Sequence, residues 1–180
     1  MDNVVPECQR SQCLRNETYD TGSMNHHQAL LHAAAPVLAL DLGDKLVGAA
    51  VSDDRLITIK RLPPLKRSNW KRLLQDVVTL IKRYDAQTVV IGLPLNLDGT
   101  FGEAAEKARQ VATNLARSIE QRVYLQDERL TSFEATENLK AEGHETEAIP
   151  ALIDGEAAAM ILRDFIQTDQ QRILVSPSQR

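Results

Sequence analysis

Asp41 closes the apolar run Val37-Leu38-Ala39-Leu40, and Gly43 follows two residues later. An uninterrupted apolar stretch this short, ended by turn-forming residues, reads as a strand buried on both faces. A carboxylate on such a strand has to be paired, hydrogen-bonded or metal-bound, because an isolated charge is costly to bury. Asp41 could equally do no more than turn the hairpin into Val47-Gly48-Ala49-Ala50-Val51. Two later acids bear on that choice: Glu128, just behind Val123-Tyr124-Leu125, and Asp154, at the start of a helical apolar pattern. Carboxylates converging without His or Cys offer hard oxygen ligands, which suit Mg²⁺ or Mn²⁺ rather than zinc. The strong use of such a set is phosphodiester hydrolysis, where a cation activates water and holds the departing oxygen. Without a cation, clustered acids repel one another and a phosphate alike. The plainer alternative makes Glu128 and Asp154 acids at helix starts, favoured there by the dipole.

Charge is unevenly distributed. The net charge of -4 argues weakly against nucleic acid. Yet from Arg55 to Arg83 there are nine Lys or Arg against the single acid Asp76. From Asp127 to Glu156 there are nine acids against Arg129 and Lys140. That polarity suggests one surface able to hold phosphates and one acidic site; solvated helix faces of differing sign would look the same. Lys66, Arg67, Lys71 and Arg72 cluster at the start of a predicted helix, and Lys45, Arg109 and Arg129 could offset backbone charge near the acids. Only 4% of residues are aromatic, so stacking platforms for bases are scarce.

The elements that must position these residues follow from periodicity. With 180 residues there is room for one ordinary domain. Residues 1–35 are polar and without clear period, and read as a loosely ordered extension, with Met24 a candidate natural start. Cys8 and Cys13 lie in that extension without zinc-site spacing, and His26, His27 and His32 have no acid beside them to complete a metal set. No apolar run is long enough to span a membrane and nothing resembles a signal peptide, so a cytoplasmic protein is expected.

Strands are predicted at 37–42, 46–52 and 56–59, joined too briefly to be anything but antiparallel, with Pro63-Pro64 ending the third. Ser68 is the expected cap of a helix through Arg83 that buries Trp70, Leu73, Leu74, Val77, Val78 and Ile81. Thr88-Val89-Val90-Ile91 is a fourth strand, parallel to the first after a helical crossover. A helix over 103–120, a fifth strand at 123–125, a helix through Lys140, an acidic loop at 141–150 and a last helix from Ala151 or Asp154 complete the domain, taken as 36–168 with a tail at 169–180. The result is an α/β fold: a mixed five-stranded sheet in the order 3-2-1-4-5, strands 1–3 antiparallel, helices on both faces. Asp41 and Glu128 then end strands 1 and 5 at the sheet edge where open α/β sheets place ligands.

Leu40-Asp41-Leu42-Gly43 with Val47-Gly48-Ala49-Ala50-Val51-Ser52-Asp53, then Val90-Ile91-Gly92-Leu93-Pro94-Leu95-Asn96-Leu97-Asp98-Gly99-Thr100, then Asp127-Glu128-Arg129-Leu130-Thr131-Ser132, then Asp154-Gly155-Glu156-Ala157-Ala158 resemble the motifs of the YqgF/RuvX family. These are the pre-16S rRNA nucleases once called Holliday junction resolvases. Four motifs in order between Val37 and Phe165 make the resemblance specific.

The resemblance implies an RNase H-like, divalent-metal nuclease acting near the 5′ end of precursor small-subunit ribosomal RNA. It implies metal-binding and catalytic roles for Asp41, Glu128 and Asp154, a basic role for Lys45 and Arg129, and a groove-lining role for Asn96. Asp127 also matches but ranks below Glu128, since neighbours on an extended segment point opposite ways. Two features depart from the family: Asp44 stands where a small hydroxyl residue is usual, with only one base after it, and the long N-terminal extension is extra. Structured RNA, with or without the ribosomal small subunit, is the implied partner of a monomer or weak dimer. The alternatives are a DNA-junction resolvase, which normally works as a symmetric dimer, and a binding module without turnover.

Overall fold

The computed structural model describes residues 33–96, 99–128, 149–168 and 172–175, with 149–154 described through the backbone alone. Strands β1 (Val37–Leu42), β2 (Leu46–Ser52) and β3 (Ile59–Lys66) lead into helix α1 (Trp70–Tyr84). Strand β4 (Thr88–Leu93), helix α2 (Glu103–Ala116), strand β5 (Arg122–Asp127), helix α3 (Ile149–Gln167) and strand β6 (Arg172–Leu174) follow. The sheet order is β3-β2-β1-β4-β5-β6. As expected, β1 to β3 are antiparallel neighbours, while β4 runs parallel to both β1 and β5.

The expected five-stranded sheet has a sixth member. Arg172–Leu174, assigned on sequence to a tail, pairs antiparallel with β5, Leu174 opposite Tyr124. Three residues are too few for periodicity to announce a strand.

Both faces of the sheet are covered, and the two-residue period of the strands divides the core between them. Leu38, Leu40, Val89, Ile91, Val123 and Leu125 pack with Leu73, Val77 and Ile81 of α1 and with Ala105, Ala108, Ala112 and Leu115 of α2. Val37, Ala39, Val90 and Tyr124 pack on the other side with Ala158, Ile161, Leu162 and Phe165 of α3. The continuous apolar run before Asp41 is therefore a strand buried on both faces, as its composition predicts.

Several boundaries differ from expectation. The third strand begins at Ile59 and runs through Pro63-Pro64, whereas 56–59 was expected. Leu56 has a left-handed φ of 57° and Ile57 is 73% exposed, in a turn held by Asp53. The Asp53 carboxylate accepts from the Ile57 and Thr58 amides at 2.8 and 3.2 Å. β3 is an edge strand, where prolines without an N–H are tolerated, and the pairing slips between Val47–Leu65 and Ala49–Leu62 where the prolines fall.

Asn69, not Ser68, caps α1, its side chain accepting from the Arg72 amide at 2.9 Å. That start leaves Trp70 36% exposed in the first turn rather than in the core. α2 ends at Ala116, short of the expected 120. At the amino end, Ala33 is buried and the Ala34 carbonyl accepts from the Thr88 hydroxyl at 2.7 Å. The expected extension otherwise, and the helix expected through Lys140, lie outside the described residues. The last helix begins at Ile149, within the expected acidic loop. Among the described residues no helix is long and apolar enough to cross a membrane.

Candidate active site at the carboxyl edge of the parallel strands

β1, β4 and β5 run parallel, so their carboxyl ends share one edge of the sheet. Leu40 is opposite Ile91, which sets Asp41 beside Gly92. Gly92 is opposite Gln126 and Leu93 opposite Asp127. The Glu128 amide donates to the Leu93 carbonyl at 3.2 Å, extending β5 by one step. Side-chain alternation from Ala39, Val90 and Tyr124 directs Asp41, Gly92 and Glu128 to the α3 face. By the same alternation Asp127 follows Val123 and Leu125 to the α1–α2 face.

Gly92 shapes the site. A Cβ there would overlap the Glu128 carboxylate and lie 2.7 Å from Ile161 Cδ1 of α3. The missing side chain is thus the space in which the Glu128 carboxylate sits, wedged between sheet and helix. Burial, then the charge of Asp41, then that of Asp127 push the Glu128 carboxyl up to about 8. At neutral pH it holds its proton unless a positive charge arrives to offset those neighbours.

The third predicted acid, Asp154, belongs to α3 four residues before Ala158 and seven before Ile161, a helical spacing that places position 154 on the sheet-facing stripe. Its side chain lies outside the described residues. Among the described residues no group of three His, Cys, Asp or Glu converges as a metal site. The pair Asp41 and Glu128 nonetheless fits a hard divalent cation: two carboxylates that raise each other's energy, one of them in a cradle a methyl group would fill.

A cleft of about 260 Å³ opens beside Glu128, lined also by Leu42, Asp44, Arg67, Pro94, Glu103, Ala104, Lys107 and Ala108. Among the described residues, Arg67 is the predicted phosphate ligand that lines it; its Nη1 donates to the Gly43 carbonyl at 2.7 Å, which ties it to the turn after Asp41. Lys45 is exposed in that turn and Lys66 is exposed at the end of β3. Lys71 is exposed on α1, and Arg72 pairs with Asp76 at 3.2 Å.

Arg109 faces elsewhere, in an ion pair with Glu106 at 2.8 Å beside a second cleft on the outer side of α2. Asn96 works within its own loop, where its Nδ2 donates to the Thr100 hydroxyl at 2.9 Å. Arg129 lies outside the described residues. Asp44 does line the cleft, so the unusual acid adds negative charge there.

Two contributors were missed on sequence. Gly92, an isolated glycine ending a β-branched run, carried a usable signal, since such glycines mark close approach. Lys107 carried none; it is one of the two bases of α2, and only the fold brings it to the cleft, paired with Glu103 at 2.7 Å.

A mixed sheet of this order, with acids at the carboxyl ends of its parallel strands and helices on both faces, defines an RNase H-like α/β domain. Residues 35–168 match the family model described as RuvX, Holliday junction resolvase, and the chain belongs to that family. A protein of Anaeromyxobacter sp. (strain Fw109-5) named "Putative pre-16S rRNA nuclease" is 37% identical over 72% of this chain and 94% of its own length. Relatives of the same name from Synechococcus elongatus (36% identical; 75% of this chain, 89% of the relative) and Lactobacillus johnsonii (33%; 75% and 97%) align over similar spans. Among solved structures, T. thermophilus RuvC in complex with Holliday junction substrate superposes with a TM-score of 0.48 at 14% identity, over 76% of this chain and 98% of that one. That superposition is too loose to argue from.

Proposed function

We propose that this protein is a divalent-metal-dependent nuclease of the cytoplasm that cleaves phosphodiester bonds in the 5′ region of precursor 16S ribosomal RNA. The observation that carries the chemistry is the placing of Asp41 and Glu128 on one face at the carboxyl edge, over the Gly92 cradle. The names borne by the relatives supply the substrate class.

Asp41 and Glu128, with Asp154 as the third candidate, would hold Mg²⁺ or Mn²⁺. When bound, such an ion supplies Lewis acidity toward the phosphate and a water poised for attack. The remaining work falls to the chain itself. β1 and β4 fix Asp41 beside Gly92, and α3 closes the site from above through Ile161. On binding the ion, Glu128 would release to solvent the proton that burial and its acidic neighbours make it keep. Arg67, anchored on the Gly43 carbonyl, faces the cleft where a backbone phosphate would lie.

The test is hydrolysis of a precursor rRNA fragment in Mg²⁺ or Mn²⁺ by the wild-type chain and by Asp41→Asn. Cleavage by the first and not the second is expected. Equal cleavage by both would remove Asp41 from the chemistry, and preferential cutting of a four-way DNA junction offered in parallel would replace the substrate.

A further inference from the structure

Phe101 is 56% exposed, two residues before Glu103 and Ala104 of the cleft lining. The residues flanking it are tied to Asn96. The Asn96 amide donates to the Thr100 carbonyl at 3.0 Å, and Asn96 Nδ2 donates to the Thr100 hydroxyl at 2.9 Å. Gly102 lies so close that a Cβ on it would be 2.9 Å from Asn96 Oδ1. Thr100 and Gly102 hold Phe101 between them, and the next two residues, Glu103 and Ala104, line the cleft.

The other described rings are mostly used inside the fold. Tyr124 and Phe165 pack together with centroids 5.4 Å apart, and Tyr84 lies under Lys60 and Arg83. An exposed phenylalanine is by itself unremarkable on a protein surface. This one lies in a braced segment that leads directly into a cleft carrying the cations Arg67 and Lys107 together with Glu128 of the candidate site.

We propose that the Phe101 ring is a stacking platform for an unpaired base of an RNA strand whose phosphates run past Arg67 and Lys107. The inference rests on the nuclease reading and specifies the form of substrate: a single-stranded segment, since bases inside a duplex offer no free face to a protein ring. Stacking on an aromatic ring tolerates any base, so the platform orients the strand without reading its sequence. Charge complementarity depends on the metal, because the cleft lining has Asp44, Glu103 and Glu128 against its two bases.

The experiment measures binding of a short single-stranded RNA carrying 2-aminopurine to the full chain with Asp41 intact, in Ca²⁺ to occupy the oxygen ligands without turnover, with Phe101, Phe101→Tyr or Phe101→Leu. Stacking predicts that Phe101→Leu weakens binding about 5- to 100-fold and abolishes quenching of the 2-aminopurine. Phe101→Tyr should stay within about twofold, and the salt dependence should be the same in all three, because no phosphate contact is lost. A duplex of the same sequence should not distinguish the variants. Equal binding by Phe101 and Phe101→Leu overturns the platform while leaving the nuclease reading in place, as does an equal loss on single strand and duplex. Failure of the parent to bind any RNA overturns both.

Discussion

Glu128 and Glu156 are both carboxylates held between the sheet and α3, but their neighbours differ in sign. Glu156 is fully buried and accepts from Arg61 Nη1 of β3 at 3.0 Å and from Arg163 Nη1 of α3 at 2.8 Å. Glu128 sits near the carboxylates of Asp41 and Asp127 and is pushed up to about 8. The first arrangement is complete in itself: two guanidiniums satisfy one acid and pin α3 to the edge strand. In the second, neighbouring negative charges raise the energy of the acid, and a bound cation would offset them. Burial alone does not mark an acid as functional; the charge of its surroundings does.

The largest effects expected from this contrast are on turnover. Asp41→Asn and Glu128→Gln should each lower cleavage of precursor rRNA by at least about 10²-fold, measured under single-turnover conditions. Glu156→Gln should leave turnover within a few-fold while lowering stability by about 3 kcal/mol in urea unfolding, since it leaves two arginines without their shared acid. The half-exposure of both guanidiniums keeps that figure at the low end. A catalytic collapse of Glu156→Gln with unchanged stability would erase the distinction between the two acids.

Gly92→Ala sharpens the same comparison. The added methyl overlaps the Glu128 carboxylate and crowds Ile161, so a loss of about 1–3 kcal/mol is expected along with lost activity. Adding Glu128→Ala to Gly92→Ala should recover part of the stability and none of the activity; a double-mutant cycle reads the coupling.

The pH dependence has a definite sign. Glu128 has a folded value of about 8 against an ordinary 4.5, so the folded state keeps a proton that the unfolded state releases. Its contribution is therefore fully present below about pH 4.5 and is lost as pH rises toward 8, by at most about 1.4 kcal/mol per pH unit. Metal-free chain should show that decline in chemical unfolding, and Glu128→Gln should flatten it. The smallest effect is at the rim: Arg67→Gln should reduce the slope of log affinity against log salt by about one, with Arg109→Gln, across α2 from the site, leaving it unchanged.

How much of this was legible in the sequence depends on distance along the chain. The strand order and the common sheet edge at which Asp41 and Glu128 fall follow from apolar runs, short turns and crossover lengths, which are local signals. The demotion of Asp127 rests on another local signal, two-residue alternation. Pro63-Pro64 misled because a proline ends a central strand but not an edge strand, and the edge is a property of the assembled sheet. Trp70 fitted a helical apolar period yet sits in an exposed first turn, because the cap one residue later than expected moved the helix start. Arg109 and Lys107 are two residues apart on one helix, and nothing in their sequence neighbourhood says which turns to the cleft. The Arg61–Glu156–Arg163 cluster joins residues from opposite ends of the domain and had no local signal at all.

The most direct measurement is the number of protons released when Mn²⁺ binds to the full chain at pH 7, obtained by calorimetry in buffers of different ionisation heat. An ion gripped by Asp41 and Glu128 must displace the proton that Glu128 holds, so close to one proton per ion is expected from the wild-type chain, and none from Glu128→Gln, with binding to Asp41→Asn weakened at least about tenfold. Mn²⁺ uptake with no proton release, or with equal affinity in wild type and Asp41→Asn, would contradict a shared ion at this edge of the sheet.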